Sequence, residues 1–188
     1  MNTKKVHKVF DSLLVSQYQS GNKKAITLLV KRWHIKLCRH AYWYTQDKEV
    51  AKDVVQDSWN KILRKINTLK DPNSFGSWAL TIVTRNAMDW QRKHKKELKS
   101  LNSYYNENKT TIAAKGNIGK TELLSILSRS IKQLSINHQI VLNLFYLEEY
   151  TIKEISEILN ISTGTVKSRL FTARENLKII VKDRNYEK

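Results

Sequence analysis

Apolar residues recur every three or four positions along most of the chain, which is the spacing of one face of an α-helix. In the second half, one such face contains Leu123, Leu127, Ile131 and Leu134. Runs in which apolar and polar residues alternate, as they do in strands, are absent, and Pro72 is the only proline. The pattern therefore predicts an all-α fold.

The distribution of tryptophan divides the chain into two parts. The tryptophans all lie in the first half, whereas the second half relies on isoleucine and leucine, so two separate cores are expected. Between them the sequence is polar, rich in asparagine and threonine, and without a sustained period. We predict two small helical domains, at residues 1–96 and 122–188, joined by a flexible linker at residues 97–121.

Capping residues and turns indicate where the helices of the first domain end. These helices are predicted at residues 10–19, 23–45, 48–66 and 75–98. Gly21 is expected to stop the first helix and Asp47 to cap the third. The sequence Asp71-Pro72-Asn73 predicts the turn that leads into the fourth.

Two of these helices carry a polar face. On the third helix, the polar stripe contains Glu49, Asp53, Gln56 and Asn60. On the fourth helix, it contains Thr81, Arg85, Arg92 and Lys95. Such a face is either solvated surface or a specific contact with another macromolecule.

The segment from Thr151 to Leu177 predicts a helix-turn-helix. Thr151 and Glu154 have the spacing of a capping box at the start of its first helix. Asn160 tolerates the left-handed backbone that ends a helix sharply, and Ser162 is a good N-cap for the second helix. A helix at residues 138–147 is expected to pack behind this motif.

The second helix of this motif has an outer face opposite its apolar stripe of Val166, Leu170, Ala173 and Leu177. The outer positions suited to base edges are Lys167, Ser168, Phe171 and Thr172, and the flanking positions suited to phosphates are Arg169 and Arg174. In a helix-turn-helix the second helix enters the major groove of DNA in this way. An ordinary helical hairpin with a solvated basic face is the alternative.

Charge and composition agree with a nucleic-acid partner. The formal net charge is +17, which attracts a polyanion, although a lysine-rich composition also arises from codon bias. Cys38 is the only cysteine, so we expect no intrachain disulfide and place this side chain in the core. No targeting segment or membrane span is recognised, and a cytoplasmic protein is expected.

Four stretches resemble bacterial RNA polymerase sigma factors. The run AKDVVQDSWNKI (51–62) resembles the signature helix of that family, in which an acidic pair, a glutamine and an aromatic recur at this spacing. FGSWALTIVTRNAMDWQRK (75–93) resembles the next family segment, and the residues before Asp47 resemble the preceding one. The sequence from Leu134 to Asn176 resembles the C-terminal domain. The short length with two domains resembles the extracytoplasmic-function group.

The resemblance implies binding to core RNA polymerase and to promoter DNA. The polymerase-binding residues it implies are Asp53, Gln56, Asp57 and Asn60. Those it implies for the −10 element are Arg85, Asn86, Arg92, Lys93 and Lys95, with the loop Asp71–Ser77 as a candidate contact for a flipped base. The helix-turn-helix residues named above would then read the −35 element. The resemblance also allows for an anti-sigma factor, without identifying one.

Two positions depart from the family pattern. Arg85 stands where the family usually has asparagine, and Asn86, one residue later, projects towards the apolar side of its helix. Thr172 stands where some relatives carry arginine, so the −35 sequence cannot be copied from them.

Other functions find little support in the sequence. GNIGKT (116–121) lacks the first glycine of a phosphate-binding loop, and His34 and His40 are not at the i, i+4 spacing of helical metal ligands. We therefore predict no enzyme activity, cofactor, metal or small-molecule substrate. The rival hypothesis is a stand-alone helix-turn-helix transcriptional regulator, which would need a ligand-binding or phosphoacceptor domain in the first half.

Overall fold

A computed structural model of the chain describes the backbone of residues 3–101 and 129–185, and the side chains of residues 6–95 and 129–179. Every regular element within these ranges is helical. The chain divides into two compact units, one built chiefly on residues 1–97 and the other chiefly on residues 98–188. For the described part of the chain, the all-α prediction is confirmed.

The first unit contains four helices, as the hydrophobic pattern predicts. They are α1 (Thr3–Gln19), α2 (Lys24–Thr45), α3 (Lys48–Lys65) and α4 (Phe75–Leu101), with 3₁₀ turns at Ile66–Thr68 and Pro72–Ser74. Two helices are longer than predicted: α1 begins before residue 10, and α4 continues past residue 98. The first residues of the predicted linker thus extend α4, whereas its residues 102–121 lie outside the described part of the chain.

The helix ends in this unit follow from local chemistry. Gly21 adopts φ of 99°, a backbone conformation that L side chains rarely adopt, and α1 ends two residues earlier. The carboxylate of Asp47 accepts hydrogen bonds from the backbone N–H groups of Glu49 (2.8 Å) and Val50 (3.0 Å) and caps α3. Both predicted boundaries are confirmed.

The core of the first unit is built from one face of each helix and from aromatic rings. Phe75, the first residue of α4, is 1% exposed and meets Trp33 of α2 edge to face, with ring centroids 5.6 Å apart. The buried apolar residues of α3 are Ala51, Val54, Val55, Trp59 and Ile62. Because α3 is packed along this face, its opposite face is left to solvent.

The second unit holds the predicted helix-turn-helix. Its described elements are a helical stretch at residues 129–133, α5 (Ile136–Leu142), a π-helical turn (Asn143–Leu147), α6 (Ile152–Leu159) and α7 (Thr163–Asn185). The predicted helix at 138–147 is therefore α5 with the π-helical turn, and α5 packs against α7 as expected. Of the amphipathic face predicted before it, Leu123 and Leu127 lie outside the described residues.

The turn of the motif has the predicted caps. The hydroxyl of Thr151 accepts from the backbone N–H of Glu154 (3.2 Å), and the Glu154 carboxylate accepts from the N–H of Thr151 (2.9 Å). Asn160 is left-handed at φ of 53°. The Ser162 hydroxyl accepts from the N–H of Thr165 (3.0 Å) and caps α7.

Candidate nucleic-acid and polymerase interfaces

The outer face of α7 lies open to solvent. On the apolar stripe of α7, Val166, Leu170 and Ala173 are at most 2% exposed and Leu177 is half-buried, whereas Phe171 on the opposite side is 65% exposed. The other predicted base-reading residues, Lys167, Ser168 and Thr172, are also exposed. An exposed aromatic ring at this position can contact an apolar group such as a thymine methyl.

The two flanking arginines differ in their surroundings. Arg169 is half-buried beside the outer face. Arg174 is held by aromatic residues of the π-helical turn: its Nε donates to the Tyr146 hydroxyl (2.8 Å), and its guanidinium lies over the rings of Phe145 and Tyr146 at 5.7 and 5.5 Å. This brace restrains the Arg174 side chain while leaving it exposed.

Tyr146 is a functional candidate that the sequence analysis missed. It is 54% exposed, and its hydroxyl accepts a hydrogen bond from Arg174, 28 positions later in the sequence. Local periodicity cannot predict a contact between residues so far apart. The π-helical turn itself could not be read from spacing either. The only sequence signal was an adjacent aromatic pair, Phe145 and Tyr146, at the end of a predicted core helix.

On α3 the predicted polymerase-binding residues form one exposed stripe. Asp53, Gln56, Asp57 and Asn60 all lie exposed, opposite the buried face of the helix. Their spacing of i, i+3, i+4 and i+7 aligns two carboxylates and two amides along one side. Glu49, one turn earlier, is engaged by Lys52 at 2.7 Å. The stripe can therefore offer acceptors and donors to a partner without unfolding any core contact.

The cations of α4 that are predicted to contact the −10 element lie on its exposed side. Arg85, Arg92, Lys93 and Lys95 are all exposed. Arg92 is paired with Asp89, one turn before it, at 2.9 Å. An exposed pair of this kind contributes little and can open for a phosphate. Among the described side chains of this helix, Arg85, Lys93 and Lys95 are thus exposed cations, and Arg92 is a cation that its partner can readily release.

Asn86 lies in a different environment from its neighbour Arg85. Its side-chain nitrogen donates to the hydroxyl of Ser58 at 2.7 Å, and its oxygen accepts from the ammonium of Lys61. Ser58 is fully buried, and its hydroxyl donates a hydrogen bond to the carbonyl of Val54 at 2.6 Å. Asn86 therefore ties α4 to α3, in agreement with its predicted projection towards the apolar side.

The loop before α4 is held by its own polar groups. Asp71 accepts from the backbone N–H of Asn73 (3.0 Å), and the Ser74 hydroxyl donates to the Asp71 carbonyl (2.7 Å). Beside it, the Gln19 amide donates to the carbonyls of Ile66 (2.8 Å) and Leu69 (3.0 Å). These bonds fix the backbone of the candidate flipped-base contact.

His40 and the His34–Cys38 pair make contacts within the first unit. His40 is buried, its Nε2 shares a hydrogen bond with the Thr84 hydroxyl (2.8 Å), and burial lowers the pKa of its imidazole to about 4. Cys38 is half-buried rather than fully in the core, lies 3.6 Å from the His34 ring, and has a thiol pKa raised by burial. Within the described residues no cluster of His, Cys, Asp or Glu could hold a metal ion. The GNIGKT segment lies outside those residues.

No helix in the described part of the chain is long and apolar enough to cross a bilayer.

Family models and relatives match the two units in order. The Sigma-70 region 2 model matches residues 29–97, and the Sigma-70 region 4 model matches residues 124–177. The chain is 30% identical to the ECF RNA polymerase sigma factor SigM of Bacillus subtilis over 136 residues, which cover 72% of this chain and 82% of that protein. It is 27% identical to the ECF RNA polymerase sigma-E factor of Escherichia coli K12 over 174 residues, which cover 88% of this chain and 91% of that protein.

Solved structures share the fold. The sigma factor RpoE in complex with the anti-sigma factor NepR from Bartonella quintana aligns with a TM-score of 0.66 at 21% identity, covering 85% of this chain and 98% of that one. CnrH in complex with the cytosolic domain of CnrY aligns with a TM-score of 0.61 at 21% identity, and the alignment covers 93% of this chain and 98% of that one. With matches to both regions in sequence order, the chain belongs to the ECF-type RNA polymerase sigma factors.

Proposed function

We propose that this sigma factor binds core RNA polymerase through the exposed stripe on α3, contacts the −10 element through α4, and reads the −35 element through the outer face of α7. The observation that carries this proposal is the pair of exposed faces on α3 and α7, each opposite a stripe of buried apolar residues on the same helix. Because the side chains of both faces lie outside the core, each face is available to a partner. Sigma factors are initiation factors, and we propose no catalytic residue, cofactor or small-molecule substrate.

The proposed roles follow the local chemistry. On α3 the partner would meet Asp53, Gln56, Asp57 and Asn60. On α4, Arg85 and the exposed cations Arg92, Lys93 and Lys95 would hold the backbone of the opened strand, since unstacking a base costs a few kcal/mol that such contacts must offset. Asn86 would act by holding α4 in place rather than by touching DNA.

On α7 the roles divide between bases and phosphates. Lys167, Ser168, Phe171 and Thr172 would meet base edges in the major groove. Arg169 and Arg174 would meet phosphates, the latter from its brace on Tyr146. The domain limits that accompany these roles, 1–96 and 122–188 with a linker between them, remain part of the proposal.

Run-off transcription tests the central assignment. Core polymerase alone and core polymerase with this protein would be compared on promoter templates, and promoter-specific transcripts are expected only with the protein.

Replacing Asp53 or Gln56 by alanine should weaken holoenzyme formation at least 10-fold while duplex binding by the second unit is unchanged. Lys52→Ala, at a 59% exposed side chain on the same helix, is the matched control. Unchanged initiation with tight duplex binding by the free protein would favour a stand-alone regulator instead.

Two further partner assignments belong to this proposal. Solved sigma factors of the same fold are bound to an anti-sigma factor, and we propose that this chain also has one. Co-purification from cells followed by displacement with core polymerase would test it. We also propose a cytoplasmic location, since that is where core polymerase acts, and cell fractionation would test it.

A further inference from the structure

Helix α1 carries two apolar faces, and only one of them is covered. On the covered side, Leu14 and Val15 are 3% and 0% exposed. On the other side, the apolar residues are Val6, Val9, Phe10 and Leu13, which are 50%, 58%, 42% and 51% exposed. Positions 6, 9, 10 and 13 have the i, i+3, i+4, i+7 spacing of a single stripe. This stripe lies outside the part of the chain that matches region 2.

A second apolar stripe lies beside it on α2. Leu28 and Ile35 are 48% and 69% exposed and, being seven residues apart, share one side of the helix. Arg32 lies between them, and its guanidinium covers the ring of Phe10 at 4.8 Å. The Nε of Arg32 also bonds to the buried carboxylate of Asp11 at 2.7 Å. The two stripes therefore adjoin, and together they are called here the α1–α2 face: Val6, Val9, Phe10, Leu13, Leu28 and Ile35.

The rim of the α1–α2 face is cationic. Helix α2 contains no aspartate or glutamate, and its cations are Lys24, Lys31, Arg32, Lys36 and Arg39. Lys31 and Arg39 are exposed and lie one turn from Leu28 and Ile35, on the same side. The only carboxylate of α1, on Asp11, is buried and paired. An occupant of the α1–α2 face thus meets apolar side chains, with the guanidinium of Arg32 between the two stripes and further positive charge at the edge.

We propose that the α1–α2 face binds an amphipathic α-helix of another protein, one whose apolar stripe is flanked by carboxylates. An apolar face on two adjacent helices can accept a third helix through anchors spaced at i, i+3, i+4 and i+7. The cationic rim selects an acidic flank. A second copy of this chain would bring the same cations to the contact, which opposes self-association. Duplex DNA would leave the exposed apolar centre without a matching surface. The face lies on helices other than α3, α4 and α7, so the inference stands apart from the proposed polymerase and promoter contacts.

The test is a selection of helical peptides on the full-length protein. A phage-displayed library would fix leucine at i, i+3, i+4 and i+7 and randomise the flanking positions. Selection should enrich aspartate and glutamate at those positions. A synthetic peptide of the selected sequence should then bind in fluorescence anisotropy, and Leu13→Glu or Ile35→Glu should weaken it at least 10-fold. Ile179→Glu, at a 57% exposed position on α7, is the matched control and should leave binding unchanged.

Other outcomes would overturn the proposal. Selected peptides without acidic enrichment, or an acidic peptide whose affinity is insensitive to Leu13→Glu and Ile35→Glu, would refute it. Binding to vesicles of phosphatidylglycerol and phosphatidylcholine in place of peptide would identify a membrane surface. Dimerisation abolished by Leu13→Glu in analytical ultracentrifugation would identify a second copy. Circular dichroism checks folding, and Leu13→Gln with Ile35→Gln replaces any glutamate variant that fails to fold.

Discussion

The side-chain amide of Asn86 donates a hydrogen bond to the buried hydroxyl of Ser58, 2.7 Å away, and so joins α4 to α3. This bond helps to connect the helix with the proposed −10 contacts to the helix with the proposed polymerase contacts. Lys61 of α3 donates to the oxygen of the same amide. Arg85, next to Asn86 in sequence, is exposed and makes no part of this link.

We predict that Asn86→Ala lowers the free energy of unfolding by about 1 to 2 kcal/mol, because it leaves the buried Ser58 oxygen without its donor. Urea unfolding of the full chain would measure it, and a double-mutant cycle with Ser58→Ala should show coupling between the two. Arg85→Ala is the control and should change stability by less than about 0.5 kcal/mol while weakening binding to an opened −10 template. Equal destabilisation by both variants would contradict the assignment.

The buried His40 predicts a pH-dependent stability. Its pKa is about 4 in the folded chain because burial disfavours the charged ring, whereas an exposed histidine titrates near 6.5. Between these values the unfolded state binds more protons, so stability is full above pH ~6.5 and is lost as the pH falls towards 4, by up to about 1.4 kcal/mol per pH unit.

Unfolding in urea at pH 7.5, 6 and 5 would measure this loss. His40→Gln retains a polar group that can reach Thr84 but does not titrate, so its stability should fall less over the same range. Identical pH dependence in the two proteins would show that other groups are responsible.

Asn160 predicts which substitutions the helix-turn-helix tolerates. It is exposed and left-handed at φ of 53°. Asn160→Gly should keep stability within about 0.5 kcal/mol, whereas Asn160→Val should cost about 1 to 2 kcal/mol because a β-branched side chain clashes in this conformation. Thermal unfolding would compare them. Lys153→Val, at an exposed right-handed position of α6, should cost only a few tenths of a kcal/mol.

On the outer side of α7, we expect different residues to contact bases and phosphates, so their substitutions should have different effects on DNA binding. Phe171→Ala should reduce discrimination between −35 sequences by about 10-fold, with little change in stability because the ring is 65% exposed. Arg169→Ala should weaken binding to all duplexes to a similar extent. It should also reduce the magnitude of the slope of log affinity against log salt concentration by about 1.

Anisotropy titrations at several salt concentrations, with a duplex selected from a random pool, would distinguish the two variants. A reduced salt slope for Phe171→Ala, or sequence-dependent losses for Arg169→Ala, would contradict this division of roles.

Much of the fold could be predicted from local patterns. Helix ends depend on interactions within a few residues, and the predicted ones are confirmed. They are the N-cap Asp47, the stop at Gly21 and, in the helix-turn-helix, the Thr151–Glu154 capping box, Asn160 and Ser162. The exposed stripe on α3 also follows from periodicity, because one packed face fixes the direction of the other.

Contacts between distant residues could not be predicted in this way. Asn86 donates a hydrogen bond to Ser58 of another helix, and Arg174 donates one to Tyr146 of the π-helical turn, 28 residues earlier in the sequence. Local spacing specifies which side of a helix a residue occupies, but not which residue of another helix lies opposite it. By itself the sequence determined the helices, their caps, their polar faces and the family. Only the tertiary structure decided which polar residues brace the helices and which remain open to a partner, because that depends on how side chains meet between helices.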